Sequence, residues 1–173
     1  MSNIIALPRS RNSIISYANI IRKIGKVKDG YFDVIRFLEH TCYDIAGLEM
    51  EVVDDNGNEL AVNEYAKYIP SENSIKVRQS VYDGATDGNG KDRFTLAHEL
   101  GHALMHREMA LSRSNKKPKA YEDPEWQANE FAANVLCPMD EIGDRDIYDI
   151  SDQYGVSLEV AQNQLNKIER LKI

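Results

Sequence analysis

No apolar run in this chain approaches the roughly 18 residues of a membrane span. The stretch from Asn3 to Leu7 is too short for a signal-peptide core and runs into Arg9 and Arg11. A soluble, cytoplasmic protein with no membrane partner is expected. Cysteine is scarce: Cys42 and Cys137 lie far apart with no CxxC pair, which excludes a disulfide framework and a thiolate zinc knuckle. Both thiols are expected to be small buried apolar groups. Net positive charge is also lacking. At -7 the chain has no basic footprint for nucleic acid, so direct nucleic-acid binding is not expected. The charge is uneven, because residues 1–30 hold Arg9, Arg11, Arg22, Lys23, Lys26 and Lys28 against Asp29 alone. A solvated basic helix face is the plain reading of that run, and a docking surface for an acidic partner is the other.

What is present suffices for a core: 173 residues, 42% of them hydrophobic. Residues 1–173 read as one α+β domain, with helices over 1–46, a small sheet and the site-bearing helices over 47–140, and further helices over 141–173. Ile14, Tyr17, Ile21 and Ile24, with Ile20 beside them, recur at helical spacing and predict a helix over 12–26. A second helix over 31–45 puts Ile35, Leu38 and Cys42 on one side and stops at Gly47. Strands are expected over Leu48–Val53, Ala66–Ile69 and Ile75–Tyr82. Residues 83–91 read as an exposed loop before a helix over 92–107, and 112–120 as a polar, mobile stretch. Asp123-Pro124 has the form of an N-cap followed by proline at the first helical position, and Pro138 ends that helix. A last helix follows Ser157.

Three of the four histidines fall in one short segment, Thr95-Leu96-Ala97-His98-Glu99-Leu100-Gly101-His102 and His106 just beyond. This is HExxH on a helix. Residues four apart share a helical face, so His98 and His102 can both present imidazole nitrogens about 2 Å from one zinc ion. Glu99, one residue on, can act as general base on the hydrolytic water without being a ligand. The fourth histidine, His40, reads as structural.

Catalytic zinc usually takes three protein ligands. The longer signature HExxHxxGxxH fails here, since Met105 stands at the glycine position and Glu108 at the last. With the helix continuing, Glu108 should point away from the metal. His106 lies about 12 Å of helical rise beyond His98, too far for the same ion, and reads as a cleft-wall group or a partly exposed helix residue. The third ligand should come from Glu125-Trp126-Gln127-Ala128-Asn129-Glu130-Phe131. Local chemistry favours Glu125 over Glu130 and leaves both open; Asn129, four residues after Glu125, could orient the carboxylate or a ligand histidine. Tyr121 and His106 are candidate oxyanion donors.

The string from Arg93 to His106, followed by Glu125 to Ala133 and Leu136-Cys137-Pro138, resembles the ImmA/IrrE metallopeptidases, specifically over about 75–140 and loosely elsewhere. That resemblance implies a zincin-like fold, zinc on His98, His102 and Glu125, and Glu99 as the catalytic acid/base. It further implies a bacterial or phage endopeptidase cutting a regulatory protein, a helix-turn-helix repressor above all, in a stand-alone form without a large sensory domain. A peptidase-like module that sequesters a transcription factor or toxin without cutting it is the alternative. Residues 150–165 have a helix, turn, helix rhythm, but Glu159, Gln162, Asn163, Gln164 and Lys167 offer little positive charge, so packing onto the core is the expected role.

Overall fold

The computed structural model describes residues 3–107, 112–114 and 117–171. The order is β1 (Asn3–Ile5), α1 (Arg11–Ile24), α2 (Val34–His40), α3 (Cys42–Ala46), β2 (Glu49–Val53), β3 (Ala66–Ile69), β4 (Ser74–Arg78), α4 (Gln79–Thr86), α5 (Gly90–Met105), β5 (Ser112–Ser114), a 3-10 turn at Ala120–Glu122, α6 (Pro124–Leu136), α7 (Met139–Ile142), α8 (Ile147–Tyr154) and α9 (Leu158–Leu171). It is a mixed α+β fold. One sheet has the order β2-β4-β3, with β2 parallel and β3 antiparallel to β4; β1 pairs antiparallel with β5.

The helix starts are set by short polar side chains. Ser10 accepts from Ser13 N, Asp33 from Arg36 N, and Asn89 from Lys91 N and Asp92 N, each satisfying an amide that the first turn leaves open. Asp123 caps α6 by accepting from Glu125 N, with Pro124 at the first position, as the sequence indicates. The helix expected over 31–45 is two, broken at Thr41, and Gly47 ends the second at φ +58°.

Two expectations fail for a common reason. The strand read as Ile75–Tyr82 stops at Arg78, and Gln79–Thr86 is helical where strand and loop were expected. Asp55, far back in the chain, accepts from both the amide and the hydroxyl of Ser80 and so caps α4 from outside. Val81 and Ala85, four apart, then share a buried face. Similarly, residues 112–114, expected only as part of a polar stretch without regular structure, form a strand because β1 supplies the partner.

The core runs from Ile14 and Ala18 through Phe32, Val77, Leu96 and Leu100 to Phe131, Val135 and Ala161. Helix α6 packs against both α1 and α5. At the α5 contact a Cβ on Gly101 would meet Phe131 Cδ1 at 3.0 Å and Ala128 Cα at 3.3 Å, so glycine lets the two site-bearing helices approach closely. The basic run near the N-terminus is not one solvated face. Arg22 is buried, donating to Val135 O and to Glu141, and Arg11 donates to Glu130. Nor does α1 bury every isoleucine expected: Ile14 and Ile21 are inside with Ala18, whereas Ile20 is half exposed. Cys42 and Cys137 are free and fully buried.

The C-terminal helices pack inward. Gln164 is buried and donates to Cys137 O at 2.7 Å, and Lys167 Nζ lies 2.9 Å from Glu130. Two of the five side chains weighed as DNA contacts thus serve the fold. No described helix is long and apolar enough to cross a membrane.

Candidate metal centre

Helix α5 carries His98, Glu99 and His102, and α6 brings Glu125 from its first turn. Burial of Leu96, Ala97, Leu100 and Ala103 fixes the rotation of α5 against the core, which turns the two histidines toward α6. His98 Nε2 and His102 Nε2 lie 3.0 Å apart. Glu125 Oε2 is 3.3 Å from the first and Oε1 is 3.3 Å from the second. Tetrahedral ligand atoms about 2.0–2.1 Å from one zinc stand about 3.3 Å apart, so the triangle has zinc dimensions. Its chemistry fits as well. Three electron-pair donors converge at separations where, without a positive charge among them, they would repel. Among the described residues no other group of three such side chains meets this test.

Both rings are oriented from behind. Asn129 Oδ1 lies 2.9 Å from His98 Nδ1; with the amide oxygen accepting, Nδ1 carries the proton and Nε2 is left bare. His102 Nδ1 lies 3.0 Å from His106 Nδ1, and His106 Nε2 lies 3.0 Å from Gln127 Oε1. His106 is therefore buried in the cleft wall behind His102 and is not a partly exposed helix residue. Burial holds its pKa below the ordinary imidazole value.

Glu99 sits apart from the triangle. Its carboxylate accepts from Tyr68 N on β3 at 2.8 Å, and burial raises its pKa despite that hydrogen bond. Glu125 is the opposite case. When the two rings are protonated, hydrogen bonding by His102 and then His98 holds it well below the usual carboxylate range. For His98, burial pulls the pKa down, but the hydrogen bond to Glu125 and the charges of Glu99 and Glu125 leave it raised.

A cleft of about 390 Å³ opens over these groups, walled by Lys67, Tyr68 and Pro70 on the sheet side and Pro124 on the other. Glu130 faces away from it, buried between Arg11 and Lys167. Tyr121 is absent from the cleft wall, and its carbonyl accepts from Arg9 N and Gln127 Nε2. His106 lines the cleft, but both ring nitrogens are already engaged. His106 thus has no unengaged ring nitrogen to offer as an oxyanion donor. His40 lies outside the cleft, with its exposed ring 3.7 Å from Glu39. Glu108 lies outside the described residues. The role of the Tyr68 amide and that of Gln127 were missed in the sequence. A backbone amide leaves no sequence signal, and in the sequence Gln127 is only one polar residue of the segment from Glu125 to Phe131.

A family model described as Peptidase_M78, IrrE N-terminal-like domain, matches residues 63–166. No curated protein matches the chain in sequence. Among solved structures, a Mycobacterium tuberculosis transcriptional regulator is similar at 16% identity with a TM-score of 0.57, over 87% of this chain and 45% of that one. The chain spans under half the length of that regulator, and at this identity the likeness is one of fold.

Proposed function

The chain belongs to the Peptidase_M78 family of IrrE N-terminal-like domains, and from that membership we propose that it is a zinc metalloendopeptidase of zincin-like fold acting in the cytoplasm on a regulatory protein, a helix-turn-helix repressor above all. The observation that carries the reading is the separation of roles on α5. His98 and His102 converge with Glu125, while Glu99 faces the same cleft from outside the triangle.

His98 Nε2, His102 Nε2 and the Glu125 carboxylate would hold the zinc. When bound, zinc supplies Lewis-acid polarisation of the scissile carbonyl and lowers the pKa of the hydrolytic water. The rest is the work of the chain. Glu99 takes the proton of the attacking water and returns it to the leaving amine, and its raised pKa brings it closer to the range in which a carboxylate does both. The Tyr68 amide holds that carboxylate in place through the exchange. Strand β3 is one of the two outer strands of its sheet and borders the cleft, so an extended substrate backbone can lie along it. That the similar regulator of known structure acts in transcription is in keeping with a substrate in gene control.

The test uses Glu99→Gln protein as bait in the cells that make it, followed by incubation of each captured protein with the unmodified chain and zinc. Mass spectrometry should find one captured regulator cut at a single site by the unmodified chain only. If both forms leave the captured regulator intact and relieve its activity equally, the chain is a sequestering module and the catalytic reading is wrong.

A further inference from the structure

Gln127 has a side chain with no freedom left. Its Nε2 lies 2.8 Å from Leu7 O and 2.8 Å from Tyr121 O. Both are carbonyl oxygens, which only accept, so the end of the amide facing them must be the NH2 group. The other end, Oε1, therefore points at His106 Nε2, 3.0 Å away. Gln127 is fully buried, and the backbone carbonyls come from two separate segments, the one before α1 and the turn before α6. The amide cannot reverse without leaving two buried carbonyls facing an oxygen.

The consequences follow in one direction. Because Oε1 only accepts, His106 Nε2 must carry a proton. A neutral imidazole with its proton on Nε2 has a bare Nδ1, and that Nδ1 lies 3.0 Å from His102 Nδ1. His102 must then donate from Nδ1, which leaves its Nε2 free of the single proton of the neutral ring. That is the nitrogen facing His98 and Glu125.

We propose that Gln127 is a positioning residue for the metal centre: through His106 it fixes the tautomer of His102, so that His102 Nε2 keeps its electron pair toward the point shared with His98 and Glu125. The inference rests on the zinc reading only for its purpose; the proton positions are a property of the metal-free chain. Asn129 does the same for His98 directly, whereas His102 is served through an intermediate ring. The two ligand histidines are thus pre-set by different devices, both built on α6.

Long-range proton–nitrogen NMR spectra of the full-length, metal-free protein at about pH 8, where an ordinary imidazole is neutral, read the protonated nitrogens directly. The expected result is His106 protonated at Nε2 and bare at Nδ1, with His102 protonated at Nδ1. In Gln127→Met, which keeps the length of the side chain and removes the acceptor, both preferences should weaken together. The zinc dissociation constant, from competition with a chelator, should rise by about 10–100-fold. A proton on His106 Nδ1 in the unmodified chain overturns the proposal, as do unchanged tautomers of both rings in Gln127→Met. If Gln127→Met does not fold, the spectrum of the unmodified chain decides alone. Tautomers as assigned in a chain that takes no zinc would uphold the relay and end the zinc reading; zinc binding with the tautomers reversed would do the opposite.

Discussion

Asn129 Oδ1 stands 2.9 Å from His98 Nδ1, one turn of α6 beyond Glu125. The pair shows how two helices divide one site. On α5 the spacing of four places two imidazoles on one face, and on α6 the same spacing places a carboxylate and the amide that orients a facing imidazole. Asn129→Leu keeps the size of the side chain and frees the His98 ring. Zinc affinity measured by chelator competition should fall by about tenfold or more with the fold intact. An unchanged affinity would mean that the core around α5 alone sets the ring.

Glu125 and Glu130 share a helix and carry opposite expectations. Purified protein should hold about one zinc per chain, and His98→Ala, His102→Ala or Glu125→Ala should remove most of it. Glu130 is 4% exposed between Arg11 Nε at 3.1 Å and Lys167 Nζ at 2.9 Å. Glu130→Ala should leave zinc content unchanged and destabilise the fold by about 1–3 kcal/mol, since its partners are partly solvated. Metal analysis and thermal melts on the same samples separate the two. Full zinc occupancy in the double histidine variant would end the assignment.

What the sequence reveals of this site follows from how local each feature is. His98, Glu99 and His102 are legible because helical periodicity alone puts them together, and the start of α6 is legible because Asp123 and Pro124 act on adjacent amides. Helix α4 is hidden because its first turn is capped by Asp55 from another part of the chain, and β1 because three residues become a strand only when β5 lies beside them. The chain from Gln127 through His106 to His102 joins three side chains whose partners include Leu7 O. No spacing in the sequence encodes that contact.

Arg93 tests the packing that carries α5. It is 1% exposed and donates to Tyr154 O, Gly155 O and Phe32 O, with its guanidinium 3.8 Å from the ring centre of Tyr31. Arg93→Met leaves those carbonyls without a donor, so stability should drop by about 3 kcal/mol, or about 10 °C in Tm. Arg93→Lys should recover only part, because an ammonium cannot span the three acceptors as the planar group does. A denaturant midpoint equal to that of the unmodified chain in Arg93→Met would show that water satisfies the carbonyls.

Burial pushes the thiols of Cys42 and Cys137 from 9.0 up to about 12. For an acid whose folded pKa is raised, the folded chain holds its proton after the unfolded chain has released it. Stability is therefore full below about pH 9 and declines as pH climbs from there toward 12. Each thiol contributes up to about 4 kcal/mol of that decline. Denaturant midpoints should fall steeply above about pH 9, and less steeply in Cys42→Ala. At about pH 8 neither thiol should react with an alkylating reagent until the chain is unfolded. Rapid alkylation of the native protein would show that one of them is reachable.

On the proposed reading, Glu99 is the position at which binding and turnover should come apart. Glu99→Gln keeps the volume of the side chain, and its amide oxygen can still accept from Tyr68 N, so the sheet side of the cleft should be undisturbed. The three residues proposed as ligands are untouched, and zinc content should equal that of the unmodified chain. The amide cannot take a proton from water, so cleavage of the captured regulator should fall by about two to four orders of magnitude. Glu99→Asp should fall between the two, because it keeps the base and draws it back by one methylene, away from both Tyr68 N and the attacking water. The measurement is single-turnover cleavage in zinc-replete buffer, with the intact regulator followed by mass spectrometry. Equal rates for Glu99→Gln and the unmodified chain would transfer the base to another residue of the cleft, and equal rates with zinc removed would end the metal mechanism as well.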